Sequence, residues 1–131
     1  MAKTKGLVIK ERTVGESDRL VTLLTADYGL VNAFVRNAKQ LKNKLSASTS
    51  LFAYCEFSIY QGRDANVVDN ATVIEMFFDL RSDIEKLAVA QYFAQLAYEL
   101  ANEGQPEEEM LSIILSALQR RKKHCANKIR C

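Results

Sequence analysis

Short runs of β-forming residues, separated by turns, fill the first 78 residues and most strongly limit the possible fold. Each run ends in charged residues or in a turn signal such as Gly15 or Asp27-Tyr28-Gly29, which is the pattern of strands joined in a meander. The predicted strands are Gly6–Arg12, Leu20–Thr25, Leu30–Val35, Leu51–Tyr60 and Val67–Phe78, the last with a bulge near Asn70.

The fourth run indicates which of its faces is buried. Every second residue is small or apolar, namely Ala53, Cys55, Phe57 and Ile59. Because side chains alternate between the two faces of a strand, this set is expected in the core, with Cys55 as a buried thiol. Five short strands and one long loop predict a small closed barrel. The OB-fold is the leading candidate, although a strand count alone also fits other small barrels.

Beyond residue 80 the apolar residues follow helical spacing. Ser82-Asp83 is a capping signal, and Gly104-Gln105-Pro106 separates two predicted helices. The chain is therefore predicted to be α+β, with a five-stranded OB-fold β-barrel in residues 1–80 and a helical extension in residues 81–131. The apolar stripes comprise Ile84, Leu87, Ala88, Phe93, Leu96, Ala97, Leu100 and Ala101 on the first helix and Met110, Ile113, Ile114, Ala117 and Leu118 on the second.

The net charge of +2 conceals three segments of different sign. Residues 1–65 carry ten basic and six acidic side chains, residues 66–119 carry two and ten, and residues 120–131 carry six and none. A basic barrel beside an acidic helical half indicates two functional surfaces, and the basic half is the one expected to meet nucleic acid.

The segment Arg36–Ser50 is predicted to be a long exposed loop with a basic first half. Phosphate binding needs mobile cations and hydrogen-bond donors, so this loop is the first candidate for DNA contact. A solvated loop that only confers solubility is the alternative. The predicted DNA-binding cations are Arg36, Lys39, Lys42 and Lys44 with Arg12 and Arg19, and Lys3, Lys5 and Arg63 extend the patch.

Aromatic side chains in the same half are candidate stacking platforms, because proteins that bind single strands stack bases on aromatic rings. Tyr54 and Tyr60 belong to the more polar set of the fourth strand and are predicted to be exposed, DNA-binding residues. Tyr28 is a further candidate. Core packing is the better interpretation for Phe34 and Phe52.

The sequence contains no recognisable catalytic or metal-binding pattern. The single histidine, His124, lacks a nucleophile to activate, and its spacing from Cys125 and Cys131 is not that of a zinc site. The chain is predicted not to be an enzyme and to need no cofactor or metal, with a zinc-dependent module as a distant alternative. The odd number of cysteines and the lack of a signal peptide or spanning apolar run predict a cytoplasmic protein.

Four segments carry a resemblance to a known family: Lys5–Arg12 with Gly15–Arg19, Tyr28-Gly29 with the strand and basic loop after it, Phe52–Phe57, and Val73–Arg81 leading into Asp83–Ala88. In this order they resemble the N-terminal part of the RecO family of DNA recombination and repair proteins. The resemblance implies an OB domain followed by a mostly helical domain. It also implies binding of single- and double-stranded DNA, strand annealing, and loading of RecA together with RecR and single-stranded DNA-binding protein.

Two features depart from that family. Its members are usually much longer, and Gln119–Cys131 does not resemble their continuing apolar helices. The chain is interpreted as truncated, frameshifted or naturally short, and the sequence does not separate these alternatives. Contact with the tail of single-stranded DNA-binding protein and a cysteine-based zinc site belong to the missing part of the family and are not carried over.

Two functions therefore compete. The first is a DNA-binding recombination mediator that anneals strands and loads RecA. The second is a protein-interaction scaffold whose barrel docks a partner and has no direct role on DNA. Salt-dependent binding to an oligonucleotide distinguishes them, because phosphate contacts release counterions.

Overall fold

Five strands and three helices form the part of the chain that the structure describes. The computed structural model describes residues 2–36, 45–62, 65–77, 80, 82–102 and 105–118. The elements are β1 (Ala2–Val14), β2 (Asp18–Thr25), β3 (Gly29–Val35), α1 (Leu45–Ser48), β4 (Tyr54–Gln61), β5 (Asn66–Glu75), α2 (Ile84–Leu100) and α3 (108–118).

β1 closes the barrel because it pairs with two neighbours. Its first part, Ala2–Leu7, lies antiparallel to β4, and its second part, Gly6–Val14, lies antiparallel to β2. β2 pairs with β3 and β4 with β5, both antiparallel, and β3 pairs briefly with β5 in parallel. The closed order β1-β2-β3-β5-β4 is that of an OB-fold. The predicted five-stranded barrel with a helical extension is therefore confirmed.

The fourth strand begins later than predicted. β4 starts at Tyr54 rather than Leu51, because Phe52 adopts a φ of 66° and turns the backbone before the strand. The amide of Phe52 donates to the Val8 carbonyl at 2.8 Å, which fixes this turn against β1. Phe52 itself is buried, as predicted.

The fifth strand ends earlier than predicted and contains the expected bulge. β5 ends at Glu75 rather than Phe78. Its pairing with β4 skips Asp69, which follows Val68 and precedes Asn70. The inserted residue locally increases the twist of the strand, as bulges do.

The connection from β3 to β4 is only partly the exposed loop that the sequence predicts. α1 is a single helical turn, and Ser48 and Thr49 at its end are buried. The Arg19 guanidinium donates to the Thr49 hydroxyl at 3.1 Å, and the Cys55 thiol donates to the Ser48 carbonyl at 3.3 Å. These bonds satisfy polar groups of the turn, so a serine- and threonine-rich sequence can be buried here. Lys39, Lys42 and Lys44 lie outside the described residues.

One apolar cluster fills the interior of the barrel. The predicted inward face of β4 is confirmed, since its small and apolar residues all belong to this cluster. Burying them removes apolar surface from water at about 25 cal/mol per Å², which favours closure of the barrel. The buried members are Val8, Val21, Leu23, Ala33, Val35, Ala53, Cys55, Phe57, Ile59, Val68 and Met76.

A second apolar cluster joins the outside of the barrel to the helices. β1 serves both clusters, because Val8 points inward while Leu7 and Ile9 point toward the helices. The pairing with β2 skips Ile9, so this residue forms a bulge under α2. The buried members are Leu7, Ile9, Leu24, Leu30, Phe52, Phe77 and Leu80 together with Ala90, Ala94, Ala97, Leu111, Ile114 and Leu118 of the helices.

α2 meets the barrel through alanines, and part of its predicted apolar stripe is wrong. Ala90, Ala94 and Ala97 are buried, whereas Ile84 and Leu100 are 88% and 66% exposed. Small side chains let the helix axis lie close to the strands. Leu87 and Phe93 of the predicted stripe are partly buried against the same cluster. No helix in the described ranges has the length and apolar composition needed to cross a membrane.

Most of the apolar stripe predicted for α3 is confirmed. Ile114 and Leu118 are buried, but Ile113 is exposed and Leu111 is buried in its place. Residues three and four apart lie on one side of a helix, so Leu111, Ile114 and Leu118 form a single face. The predicted boundary after residue 80 stays a prediction, and Leu80 lies fully buried in the cluster that barrel and helices share.

The predicted start of α2 is confirmed by its cap. The Asp83 carboxylate accepts hydrogen bonds from the amides of Glu85 and Lys86 at 3.0 and 3.3 Å. These amides have no partner within the helix, so the cap stabilises the first turn.

Backbone hydrogen bonds fasten the connection between α2 and α3 to the turn between β2 and β3. The Leu30 amide donates to the Asn102 carbonyl at 3.1 Å, and the Glu107 amide donates to the Ala26 carbonyl at 3.0 Å. Gly29 lies at this contact with a φ of +66°, and a Cβ there would be 1.9 Å from the Asn102 carbonyl oxygen. Glycine is therefore required for the helices to dock at this turn.

Replacing Gly29 by alanine is expected to destabilise the protein more than the same change at Gly15. Both residues have a φ near +65°, but the space around Gly15 is open. Gly15→Ala should cost about 1 kcal/mol for the backbone conformation alone. Gly29→Ala should cost a further ~1–3 kcal/mol, because it displaces the Asn102 carbonyl and its hydrogen bond. Urea unfolding measures both, and equal losses would contradict this account of the docking.

Cys55 is expected to make the protein less stable at high pH. Burial raises the pKa of its thiol from 9.0 to about 11, against a smaller lowering effect of the hydrogen bond with the Ile74 backbone. Between these values the unfolded thiol ionises while the folded one stays protonated. As the pH rises from 9 toward 11, the free energy of unfolding therefore falls by up to about 1.4 kcal/mol per pH unit. Urea unfolding from pH 8 to 10.5 should show a shallower loss for Cys55→Ala, and identical slopes would refute the assignment.

Candidate nucleic-acid interface

The outer face of β1, β2 and β3 has a covered end and an open end. Val21 and Leu23 point into the barrel, so Leu20, Thr22 and Leu24 on the same strand point outward. Leu24 is buried beneath the helices, whereas Leu20 is only half-buried. The helical extension thus covers one end of this face and leaves the other accessible.

A continuous strip of side chains crosses the open end. Arg12 pairs with Leu20, Leu20 with Phe34, Phe34 with Val67, and Val67 with Tyr60. Registered partners project from the same side of a sheet, so these five residues form one row, which we call the outer strip. An exposed cation stands at one end and an exposed tyrosine at the other, with apolar and aromatic side chains between them.

A polar row runs beside the outer strip. Lys10 pairs with Thr22, and Thr22 pairs with Asn32. The Thr22 hydroxyl donates to the Asn32 side-chain oxygen at 2.7 Å, and the Asn66 side-chain NH₂ group donates to the Asn32 backbone carbonyl at 3.4 Å. Because its side-chain oxygen is engaged, the exposed amide of Asn32 presents its NH₂ group as a donor.

The polar row, the Arg12–Leu20 end of the outer strip and α2 line an open cleft of about 540 Å³. Tyr98 of α2 forms the rim toward the helices, and the Lys10 ammonium lies 3.9 Å from the centroid of its ring. The cleft therefore combines cations, a hydrogen-bond donor, an apolar floor and an aromatic ring. Its lining residues are Lys10, Glu11, Arg12, Leu20, Thr22, Asn32 and Tyr98.

Such a combination suits an unpaired nucleic-acid strand. Grooves for single strands place cations along the backbone and aromatic rings against the bases. In OB-folds the face of the second and third strands is the usual site for oligonucleotides. Glu11 adds a negative charge, but its carboxylate lies 3.7 Å from the Arg19 guanidinium and is partly neutralised there.

Three residues of the predicted site lie on or near this face. Arg12 lines the cleft, and Tyr60 closes the far end of the outer strip. Arg36 is exposed directly after β3, two residues beyond Phe34 of the strip. The predicted exposure of Tyr60 is confirmed.

Two predicted residues have other surroundings. Arg19 is not among the residues that line the cleft, and its guanidinium contacts Glu11 and Thr49. Tyr54 was expected to be exposed, but it is half-buried against the cluster between barrel and helices. Burial raises the pKa of its hydroxyl. The helices that cover Tyr54 are the physical reason for the difference.

The remaining candidates are scattered. Tyr28 is exposed in the β2–β3 turn, and Lys3 and Lys5 are exposed on the part of β1 that pairs with β4. Phe34, expected in the core, is half-buried in the outer strip. Arg63 lies outside the described residues.

Sequence reasoning missed Lys10, Asn32 and Tyr98. Asn32 was within reach, because the alternation used for the fourth strand also applies to β3. Lys10 was not, because the bulge at Ile9 interrupts the alternation of β1. Tyr98 had no such signal, since its place at the rim depends on how α2 docks on the barrel.

The described residues contain no cluster of three or more histidine, cysteine, aspartate or glutamate side chains that would hold a metal ion. His124, Cys125 and Cys131 lie outside the described residues.

Curated relatives of this chain are proteins named DNA repair protein RecO. One from Acetivibrio thermocellus is 36% identical over 116 residues, which cover 88% of this chain and 46% of the relative. One from Caldicellulosiruptor bescii is 33% identical over 123 residues, with 94% and 50% covered. One from Gloeothece citriformis is 36% identical, with 92% and 44% covered. The chain thus spans about half the length of the curated relatives it matches.

Two family models match nearly the whole chain. The model described as recombination protein O N terminal matches residues 1–77, and the one described as recombination protein O C terminal matches residues 81–128. The second match includes most of the tail after residue 118, which the sequence analysis had set apart from the family's pattern. The chain belongs to the recombination protein O family.

Proposed function

We propose that this chain acts in bacterial DNA recombination and repair by binding DNA through the open outer face of its barrel. The observation that carries the proposal is the cleft, where Lys10 and Arg12 stand beside the apolar floor at Leu20 and the donor of Asn32. Cations neutralise phosphates, and apolar or aromatic surface accepts unstacked bases. The relatives named DNA repair protein RecO support this role.

Single- and double-stranded DNA are expected to use this face differently. A single strand can lay its bases on the outer strip while its phosphates meet Lys10 and Arg12. A duplex keeps its bases stacked, so it would be held through phosphates alone. The basic segment with Arg36, Lys39, Lys42 and Lys44 follows β3 in the sequence and would supply further phosphate contacts for both.

The finer role follows from the family resemblance. We propose that bound strands are annealed and that RecA is loaded with RecR. The proposed division of labour places DNA on the barrel of residues 1–80 and partner contact on the acidic part of the helical extension, residues 81–119. Binding and positioning of strands are the activities proposed, without enzymatic chemistry or a cofactor, and the cytoplasm is the proposed location.

The alternative is a protein-interaction scaffold with no direct role on DNA. The exposed apolar residues on the helices, such as Ile84 and Ile113, are the observation that favours it. A scaffold would not need cations and a donor grouped around an apolar cleft on the barrel. The response of DNA binding to salt therefore separates the two functions.

The expected result is salt-dependent DNA binding that depends on the cleft and the loop. Fluorescence anisotropy with a labelled oligonucleotide should show an affinity that falls steeply as salt rises. Reversing the charge of Lys10 and Arg12, or of Arg36, Lys39, Lys42 and Lys44, should weaken binding. Each lost phosphate contact should also flatten the slope of log affinity against log salt by ~0.7 for a single strand.

The matched control reverses the charge of Arg120, Arg121, Lys122 and Lys123 in the tail, where only a modest loss is expected. Circular dichroism confirms folding of each variant. Absent or salt-insensitive binding would reject the DNA-binding function. Loss of binding in the tail variant alone would show that the barrel is not the DNA site.

A further inference from the structure

Lys10 and Tyr98 join the barrel to the helical extension at the rim of the cleft. The Lys10 ammonium lies over the face of the Tyr98 ring, 3.9 Å from its centroid. This is the geometry of a cation–π contact. The Tyr98 side chain is nevertheless 39% exposed, so part of the ring faces solvent at the cleft.

Two local features of the chain place these side chains together. The bulge at Ile9 buries that residue beneath α2 and brings Lys10 onto the outer face, in register with Thr22. Tyr98 follows Ala94 by one helical turn, and Ala94 is packed against the barrel. The close approach of the alanine face thus carries the tyrosine ring to the edge of the sheet.

We propose that Tyr98 is a stacking platform for an unpaired DNA base and that the contact with Lys10 holds its ring in place until a strand enters. This inference rests on the proposed DNA-binding function and deepens it. On entry, the base stacks against the tyrosine ring beside the apolar floor at Leu20. The Lys10 ammonium then leaves the ring face and meets the phosphate of the same strand.

The expected ligand is a single strand and not a duplex. A ring at the rim can stack only on a base whose face is uncovered, and bases within a duplex cover one another. Lys10 and Arg12 attract the phosphates of either form, because this attraction does not depend on pairing. Tyr98 would therefore determine the preference of the cleft for single strands. The cations would supply the affinity that single strands and duplexes share.

A pair of tyrosine variants separates stacking from general binding. In the full chain, Tyr98→Ala is expected to weaken binding of a labelled oligothymidylate by roughly 5- to 150-fold, the range of one lost stacked base. Binding of a hairpin duplex should change less than about twofold, because it loses no phosphate contact. Tyr92→Ala is the matched control, since Tyr92 is exposed on the same helix and does not line the cleft.

The salt dependence adds a readout that a structural role would not produce. Tyr98→Ala should leave the slope of log affinity against log salt unchanged, whereas Lys10→Gln should flatten it by ~0.7. Tyr98→Phe should bind like the natural protein, because stacking needs the ring and not the hydroxyl. The chain contains no tryptophan, so Tyr98→Trp introduces a unique fluorophore whose emission should fall when oligothymidylate is added.

The outcomes distinguish this inference from the function on which it rests. If the natural protein binds DNA with the expected salt dependence but Tyr98→Ala binds single strands as Tyr92→Ala does, the stacking role is wrong and the DNA-binding function stands. Unchanged emission of Tyr98→Trp on a bound strand would also overturn the stacking role. If the natural protein binds neither oligothymidylate nor the hairpin duplex, the stacking role and the DNA-binding function are both overturned.

Discussion

The docking of the helices on the outside of the barrel determines the rest of the structure. Leu7, Ile9, Leu24 and Leu30 give the barrel an apolar outer patch, and the alanine face of α2 packs against it. An OB barrel with this patch exposed would present a large apolar surface to water. The docking removes that surface and, because it covers only one end of β1–β3, creates a cleft at the other.

β1 makes this arrangement possible because it closes the barrel, contributes to the barrel interior and contacts the helices. Gly6 and Leu7 pair with both β2 and β4, which closes the barrel. Within three residues, Leu7 faces the helices, Val8 faces the interior, and Ile9 bulges toward the helices again. Lys10 then emerges at the cleft. Barrel closure, helix docking and the cationic rim are therefore linked through one strand, and a change in its register would disturb all three.

Much of the fold could be predicted because its determinants are local. The alternation around Cys55 identified the inward face of β4, and Asp83 identified the start of α2. Features that depend on tertiary contact could not be predicted in this way. Ile84 and Leu100 of α2 were expected to face the core, but they are exposed, and alanines make the closest contact with the sheet. Tyr54 alternates with core residues and was expected to be exposed, but the helices cover it.

The candidate site shows the same division between local and tertiary information. Arg12 and Tyr60 were identified from residue type and strand alternation, and both lie on the outer strip. Arg19 has the same charge as Arg12, but its guanidinium is engaged by Thr49 after α1 and by Glu11. Tyr98 is 86 residues along the chain from Arg12, and only the docked helix brings both to one cleft.

The most direct test of the central claim is to map the bound strand on the ¹⁵N-labelled protein by NMR. With oligothymidylate, the largest chemical-shift changes should fall on the backbone amides of Lys10, Arg12 and Leu20, on the side-chain amide of Asn32, and on the residues around Tyr98. The hydrogen bond between Thr22 and Asn32 makes that side-chain amide a specific probe of the cleft. Changes confined to Val73 and Ile74, which are exposed on β5 and do not line the cleft, or to α3 would contradict the assignment of the cleft as the DNA site.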